Sequence, residues 1–413
     1  MLLTFVPSLV PFELPSDRVG VLDREAHDAP AGWITRQHRA EWVDRLAASA
    51  GVDRVMAREW LLPEPCAWTT VGAVRTSIQL WAGARVFASV DDDMGRLGWL
   101  LRSAPVVLRS DPPWELSWDA PPTEPVDVVR LALGAVGRDP AAVRFPGLPT
   151  SPAVLAPRPP DVVVLGTWGF PGTSDLMHRL GVPDSVHRGA ANEGEVHRRL
   201  LEPRVRRCPP TPTLTNDGWF MSGAFAANGA ANLPPFPPRH RNADGVWGRV
   251  RSAADPGATT LHLAAGLVHD RPPSSLPRPG PRLPLRAHEV LSAAVATWDG
   301  SGGWPGLADA IGMHEPAPRD VATAAFRGRL ERFRVFLTAQ PPRSPAFTEV
   351  KTVALAALDA TLTSESIEPL EGGWAEMSSF VGGYGRLIEA WPELRAASAR
   401  VDPPLPVLGA GRG

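Results

Sequence analysis

The expected fold of this chain depends on one stretch, Gly72-Ala-Val-Arg75-Thr-Ser-Ile-Gln-Leu-Trp-Ala-Gly83-Ala-Arg-Val-Phe-Ala-Ser-Val90-Asp91-Asp92-Asp93-Met94. Residues 74–81 predict a helix that ends at the helix breaker Gly83. Residues 85–90 are apolar and favour a short buried strand. Three consecutive carboxylates, called the acidic triplet below, follow where this strand is expected to end. A helix, a strand and a charged loop in this order are typical of an open α/β sheet.

The acidic triplet indicates a cation site. Asp91, Asp92 and Asp93 repel one another, so a nearby positive charge would relieve an unfavourable arrangement. In open α/β sheets, ligands bind beyond the carboxyl ends of the strands. A hard divalent cation such as Mn²⁺ or Mg²⁺ takes oxygen ligands and bridges the phosphates of a substrate. The alternative is an ordinary solvated loop, and the triplet alone leaves both interpretations open.

Composition limits the function classes. The chain has 413 residues, which predicts two domains or one large domain with an appendage, and 44% of them are hydrophobic, which allows a sizeable core. Its net charge of −2 gives no support to nucleic-acid binding. Cys66 and Cys208 match no metal or redox spacing. Because the sequence contains neither a run of about 18 apolar residues nor a basic signal-peptide start, we expect no transmembrane segment and a cytoplasmic enzyme.

Before the acidic triplet, the pattern predicts a helix at residues 32–48 and strands at 2–6, 18–22 and 53–56. The strand at 18–22 is followed by Asp23. A carboxylate at the end of such a strand is well placed to bind the hydroxyl groups or base of a nucleoside. A simple turn residue is an equal alternative for Asp23.

Beyond the triplet, the pattern predicts strands at 97–108, 161–166 and 261–268, a strand and turn within 217–225, and a short helix after residue 236. A further helix is expected at 125–136, with Pro125 in its first turn. Apolar residues recur at helical spacing over 285–298, 318–338, 347–363 and 374–398. The expected fold class is therefore α/β, with a mixed sheet flanked by helices and a helical C-terminal region.

Proline-rich stretches divide the chain into expected units. The first unit, 1–110, would bind the nucleotide part of a substrate, and 111–160 would be a Pro-rich bridge or insertion. Residues 161–282 would form the second half of the catalytic domain, and 283–413 the helical region. The helical region is compatible with core packing, self-association or partner docking.

The order of these motifs resembles the glycosyltransferases of the GT-A fold, especially their family 2-like group. That family carries Gly-x-x-x-Arg-Asn, a later Gly, an apolar strand and Asp-x-Asp, which Gly72, Arg75, Gly83 and the acidic triplet match here. Thr76 stands where the family usually has Asn, a departure that weakens one expected contact on the nucleotide side. The strand before Asp23 is similar to the family's earlier strand, whose terminal Asp holds the nucleobase or ribose.

Two later motifs extend the resemblance. Asn242-Ala243-Asp244-Gly-Val-Trp-Gly is similar to the family's Glu-Asp motif at the start of an acceptor-side helix, with Ala243 in place of Glu. The resemblance implies that Asp244 is the general base, whereas a simple helix cap is the alternative. His269 is similar to a late His that some GT-A enzymes use as a third metal ligand, and a loop residue is the alternative.

The resemblance implies a GT-A-like, Rossmann-like fold and an inverting, metal-dependent glycosyltransferase. Asp91 and Asp93 would bind Mn²⁺ or Mg²⁺ together with the diphosphate of a nucleotide-sugar donor, and Asp92 would either face away or support the ribose. Arg75 would contact the donor, while the acceptor hydroxyl stays unidentified. One alternative is a degenerate GT-A-like binding protein without turnover. The other is a sugar-phosphate nucleotidyltransferase, for which the expected Gly-rich signature is missing from the sequence.

Several further side chains have two interpretations, one of them as a ligand contact. Trp219 and Trp247 would stack on an acceptor sugar or pack in the core, and core packing is the favoured interpretation. Arg239 and Arg241 would bind an anionic group or lie in a solvated loop. Arg271 would meet the diphosphate or pair with its neighbour Asp270.

Overall fold

The computed structural model describes residues 19–22, 30–34, 36–63, 71–90, 94–101, 106–109, 115–118, 122, 126–138, 158–169, 179–181, 183–201, 205–216, 218, 220, 223–240, 242–269, 283, 285–312, 318–367, 369 and 373–403. At 19–22, 30–34, 36, 71, 95–97, 185 and 269 only the backbone is described. The expected strand at 2–6 and residue Pro125 lie outside these ranges.

The strands in the described ranges are short and mostly buried. They are β1 (Val19–Leu22), β2 (Pro30–Ile34), β3 (Val86–Val90), β4 (Met94–Leu100), β5 (Val107–Arg109), β6 (Glu115–Ser117), β7 (Val162–Gly169), β8 (Val205–Cys208), β9 (Thr213–Thr215), β10 (Ala224–Asn228) and β11 (Thr260–His269). The predicted strands at 18–22, 85–90, 161–166 and 261–268 are thereby confirmed as β1, β3, β7 and β11, and 97–108 contains parts of β4 and β5.

The helices flank these strands and fill the C-terminal part of the chain. They are α1 (Arg36–Ala50), α2 (Arg54–Leu61), α3 (Val71–Ala82), α4 (Val128–Ala135), α5 (Pro183–His187), α6 (Glu193–Leu201), α7 (Ala243–Ala254), α8 (Ala287–Thr297), α9 (Gly303–Gly312), α10 (Pro318–Ala339), α11 (Pro345–Leu362), α12 (Gly373–Glu389) and α13 (Trp391–Ser398). The predicted end of α3 is confirmed, since Gly83 has a φ of 56°.

Nine of the described strands form one mixed sheet, which confirms the α/β class. Its main order is β3-β10-β7-β11-β9-β5. β7 and β11 are parallel, as are β5 and β9, and β10 runs antiparallel to both β3 and β7. The second half of β11 pairs with β4, and the end of β7 pairs with β8. β1 and β2 form a separate antiparallel pair.

Alternation of side chains along the strands gives the sheet two apolar faces. On β7, Val162 and Val164 belong to one buried cluster, and Val163 and Leu165 belong to another. The first cluster is covered by α1, α2, α3, α7, α8, α9, α12 and α13, and the second by α4. Burial of each such side chain contributes about 1.5–3 kcal/mol to folding. The sheet is thus sandwiched between two helical layers.

Four local predictions needed correction. Residues 53–56 are not a strand: Asp53 caps α2, and its side chain accepts the N–H of Met56 at 3.0 Å. Residues 32–34 belong to β2, so α1 begins only at Arg36. β10 starts at Ala224, near the end of the expected strand and turn. α4 begins at Val128 after its cap Asp127, and not near residue 125.

Of the C-terminal helices, α8, α9, α12 and α13 pack within the same core as the sheet, whereas most of α10 and α11 packs with α5 and α6 in a separate cluster. The predicted helical segments are confirmed as α8, α10, α11, α12 and α13, and α9 was not predicted. α12 and α13 place Tyr384 and Trp391 in the cluster that covers the first face of the sheet. α4, from the expected bridge, packs on β3, β4, β7, β10 and β11. The division into four units remains a prediction. Among the described helices, none is both long and apolar enough to cross a membrane.

Candidate functional site

Several strands end at one edge of the sheet. Because β10 is antiparallel to both β3 and β7, those two strands run in the same direction, and β11 is parallel to β7. Val90, the last residue of β3, pairs with Ala224, the first residue of β10. The carboxyl ends of β3, β7 and β11 therefore share one edge, which we call the carboxyl edge. Ligands of open α/β proteins bind at such an edge.

The backbone at the carboxyl edge connects two of the predicted motifs. Met94 pairs with His269 across the antiparallel ladder of β4 and β11. Val90 and Met94 are the residues that flank the acidic triplet in the sequence. The last residue of β3 and the residue that pairs with His269 are therefore only four positions apart in the sequence.

Helix α7 is held at its last turn by the start of β11, which is the end of that strand opposite the carboxyl edge. In its last turn, the Arg251 guanidinium donates to Thr260 Oγ1 at 2.8 Å and to the Thr259 carbonyl at 2.7 Å, at the start of β11. A helix of 12 residues is about 18 Å long, and its first turn is at the end away from this contact. Asp244 lies in this first turn.

Asp244 is half-buried, and its Oδ1 accepts the N–H of Gly245 at 3.0 Å. The interpretation of Asp244 as the helix cap is wrong, because Asn242 occupies the cap position. A carboxylate in the first turn still gains from the positive end of the helix dipole.

The chain reaches α7 through a buried, proline-rich segment, residues 233–238. Four of its residues are proline and donate no backbone hydrogen bond, so burial leaves mainly carbonyl groups to satisfy. The donors are side chains of α13, α7 and α12. Trp391 Nε1 donates to the Leu233 carbonyl at 2.8 Å, and Trp247 Nε1 donates to the Pro234 carbonyl at 2.7 Å. Tyr384 Oη donates to the Pro235 carbonyl at 2.9 Å. The C-terminal helices thus fix the approach to Asp244.

Thr76, on α3, binds the backbone of Phe236 in this segment. Its Oγ1 accepts the N–H of Phe236 at 2.9 Å and donates to the Phe236 carbonyl at 3.2 Å, and Thr76 is fully buried. The hydroxyl group of Thr76, which stands where the resemblance implies Asn, is thus engaged with backbone. Phe236 also stacks on Trp247, with ring centroids 4.9 Å apart, and Trp247 is fully buried. Core packing of Trp247 is confirmed.

Arg75 and Gly72 lie where α3 begins. Arg75 is 6% exposed, and its guanidinium carbon lies 5.7 Å from the centroid of the Phe236 ring. A donor contact for Arg75 remains a prediction. A Cβ added to Gly72 would lie 1.8 Å from the Pro237 carbonyl oxygen and 3.4 Å from Ala243 Cβ. The absence of a side chain at Gly72 thus lets the starts of α3 and α7 touch.

Sequence reasoning missed His240, which lies four residues before Asp244. It is 3% exposed, and its φ of 72° is uncommon for a residue with a side chain. Its ring meets the Phe380 ring edge to face at a centroid distance of 4.4 Å. Burial, with a smaller effect of the Arg239 charge, lowers the pKa of His240 to about 4. The imidazole is therefore neutral at pH 7, and no local sequence signal indicates this.

His240 forms part of a cleft between α2, the end of the proline-rich segment and α12. We call it the α2–α12 cleft. It has about 40 Å³ of space that water-sized molecules can fill. Its lining residues are Glu59, Trp60, Pro238, Arg239, His240, Glu376, Ser379, Phe380 and Gly383. Pro238, Arg239 and His240 connect the cleft with the segment that leads into α7.

The structure describes few of the other predicted site residues. Asp23, Asp91, Asp92, Asp93, Trp219, Arg241 and Arg271 lie outside the described residues, and His269 is described by its backbone alone. Asp23 follows β1, whose partner in the described chain is β2 and not the large sheet. Among the described side chains, no group of three His, Cys, Asp or Glu residues could hold a metal ion.

Comparisons of the chain with protein-family models, with curated proteins and with solved structures found no match.

Proposed function

We propose that this protein is a metal-dependent, inverting glycosyltransferase with a GT-A-like fold. It would move a sugar from a nucleotide-sugar donor to an acceptor hydroxyl. The observation that carries the proposal is the pairing of Met94 with His269 at the carboxyl edge. Met94 directly follows the acidic triplet in the sequence, and His269 comes more than 170 residues later.

Covalent geometry limits how far these motifs can be from each other. Paired Cα atoms in an antiparallel ladder are about 4.5–5.5 Å apart. Asp93 is the residue before Met94 in the sequence, and consecutive Cα atoms are about 3.8 Å apart. We propose that the side chains of Asp93 and His269 bind one cation.

The residues fit a divalent cation chemically. Asp91 and Asp93 offer carboxylate oxygens, and His269 offers an imidazole nitrogen, a set that suits Mn²⁺ or Mg²⁺. A bound cation supplies Lewis-acid stabilisation of the charge on a departing diphosphate. Asp92 would support the ribose, and Asp23 and Arg75 remain proposed donor contacts.

Asp244 is the proposed general base. A carboxylate that takes the proton of an acceptor hydroxyl must lie within hydrogen-bonding reach of it. The position of Asp244 supports this role, since it is half-buried in the first turn of α7, next to the start of α3. Direct attack of the activated hydroxyl on the anomeric carbon, without an enzyme nucleophile, inverts that carbon.

One observation favours a second candidate, a degenerate GT-A-like binding protein. Ala243 stands where the resemblance implies Glu, and it is 7% exposed. A longer acidic side chain here would meet the start of α3 at Gly72. Loss of this carboxylate would be compatible with ligand binding without turnover.

The test is a thermal-shift screen of uridine, guanosine and thymidine diphosphates with and without Mn²⁺. A ligand that binds only the native state raises the melting temperature. We expect a Mn²⁺-dependent shift with one nucleotide, lost in Asp93→Ala and in His269→Gln. Asp309→Ala, an exposed carboxylate on α9, should keep the shift.

Turnover separates the two candidates. Hydrolysis or transfer of the matching sugar nucleotide by the wild type, with loss in Asp93→Ala, supports the transferase. A nucleotide shift without turnover supports the degenerate binding protein. The absence of a shift with every nucleotide, in folded protein, contradicts both.

A further inference from the structure

The backbone just before α7 has an unusual conformation at two residues. Among the described residues, His240 and Asn242 are the only ones other than glycine with a positive φ, at 72° and 64°. This conformation is uncommon for residues with a side chain and persists where the surrounding structure holds it in place. Asn242 is the cap of α7, yet its side chain makes no capping hydrogen bond. The conformation therefore depends on contacts with other elements.

Helix α12 supplies two such contacts from one of its faces. Phe380 and Tyr384 are four residues apart on α12, so their side chains lie on the same side of the helix. The Phe380 ring meets the His240 ring edge to face, at a centroid distance of 4.4 Å. One turn further along α12, Tyr384 Oη donates to the Pro235 carbonyl at 2.9 Å. All four residues are buried, so α12 holds the chain at two points shortly before α7.

The start of α3 contacts the same stretch of backbone. The Ala73 N–H donates to the Pro238 carbonyl at 3.3 Å. A Cβ added to Gly72 would overlap the Pro237 carbonyl oxygen and touch Ala243. The chain that leads into α7 is thus held by α3 as well as by α12, and a change on either helix is transmitted to the start of α7.

We propose that helix α12 positions Asp244, through Phe380 and Tyr384, for its role as the general base. This inference rests on the proposed function, because it takes Asp244 as the base. Phe380 and Tyr384 act through the backbone before α7, so they are positioning residues. Displacement of a catalytic group by about 1 Å is enough to slow a reaction strongly. The C-terminal helical region would then contribute to catalysis as well as to core packing.

Transfer kinetics of Phe380→Leu test the positioning. We expect kcat to fall by about 10–100-fold, as for a misplaced catalytic group, with KM for the donor nearly unchanged. Phe347→Leu is the matched control, because Phe347 on α11 is also buried, belongs to a separate cluster and has its ring 5.3 Å from that of His187. This control should keep the kcat of the wild type. Tyr384→Phe removes only Oη and should lower kcat as well.

A double-mutant cycle with Asp244→Asn distinguishes positioning from a general structural effect. If Phe380 acts through Asp244, Phe380→Leu should slow transfer no further in the Asp244→Asn background. Fully additive losses in the two variants would overturn the proposal. An unchanged kcat in Phe380→Leu, or an equal loss of kcat in Phe347→Leu, would overturn it too.

Hydrogen exchange in α7 gives a readout that needs no turnover. In the first turn, the Val246 N–H donates to the Asn242 carbonyl at 3.2 Å, and at the other end the Asp255 N–H donates to the Arg251 carbonyl at 2.9 Å. Phe380→Leu should speed exchange of the Val246 amide by about two- to tenfold, the range for loss of one aromatic pair, and leave the Asp255 amide unchanged.

The exchange data also separate this inference from the proposed function. Unchanged exchange of the Val246 amide, or equal acceleration at the Val246 and Asp255 amides, would overturn the hold of α12 on the first turn of α7, whether or not the protein transfers sugar. If the wild type transfers no sugar while the Val246 amide responds as expected, the proposed function fails, and with it the role of Asp244, whereas the hold of α12 on this turn stands.

Discussion

Thr76 and Phe236 are 160 residues apart in the sequence, yet they exchange two hydrogen bonds in the core. Phe236 supplies the backbone N–H between two pairs of prolines, and Thr76 Oγ1 is its acceptor. The same hydroxyl donates to the Phe236 carbonyl. One side chain on α3 thus satisfies both backbone groups of the residue at the centre of the segment that leads to Asp244.

Thr76→Val should destabilise the protein by about 1–3 kcal/mol, because Val keeps the shape of Thr and leaves two buried backbone groups unsatisfied. The free energy of unfolding in urea measures the effect. Thr76→Ser keeps the hydroxyl group and serves as the control, with a smaller loss from the missing methyl group. Equal stability of the Val and Ser variants would show that the two hydrogen bonds contribute little.

Gly72→Ala should destabilise the protein by about 1–3 kcal/mol, since the added Cβ overlaps the Pro237 carbonyl oxygen and forces α3 away from the proline-rich segment. Gly134→Ala on α4 is the matched control, because its added Cβ meets open space. That control should be neutral or stabilising by up to about 1 kcal/mol. Urea unfolding of both variants tests the difference, and a Gly72→Ala protein as stable as Gly134→Ala would contradict this account of the contact.

The sequence predicted those parts of the fold that depend on local pattern. Alternating or continuous apolar residues indicated β3, β7 and β11, and helical spacing indicated the C-terminal helices. The pattern failed at residues 53–56, where the capping side chain of Asp53 has more weight than a short apolar run. It also missed α9, whose glycines and proline are typical of loops.

Local sequence patterns did not predict the contacts between segments that are far apart in the chain. Val90 pairs with Ala224 and Met94 with His269, and nothing in either segment indicates its partner. The burial of Thr76, Trp247 and His240 likewise depends on helices far along the chain. The sequence therefore predicted each site residue separately. The sheet topology adds that Met94, next to the acidic triplet, pairs with His269.

Asp244→Asn should reduce sugar transfer by about 10²–10⁴-fold if Asp244 is the general base. The amide oxygen can still accept the N–H of Gly245, so the helix start should be retained. Metal-dependent nucleotide binding should remain as in the wild type. Asp255→Asn, beyond the other end of α7, is the control and should retain transfer. Full activity of Asp244→Asn would exclude Asp244 as the base.

His240 should make the protein less stable in acid. Burial lowers its pKa from 6.5 to about 4, so protonation favours the unfolded chain. The stabilising contribution of the neutral ring is fully present above about pH 6.5 and is lost as the pH falls toward about 4. Between pH 6.5 and 5 the loss for one such group is about 2 kcal/mol.

Urea unfolding of the wild type and His240→Gln at both pH values tests this contribution. The variant lacks the titrating ring, so its free energy of unfolding should fall by about 2 kcal/mol less over the same interval. His197→Gln, at an exposed position on α6, should keep the pH dependence of the wild type. If His240→Gln loses as much stability as His197→Gln, the imidazole is not held neutral by burial. Its place beside Phe380 would then be maintained even when the ring is charged.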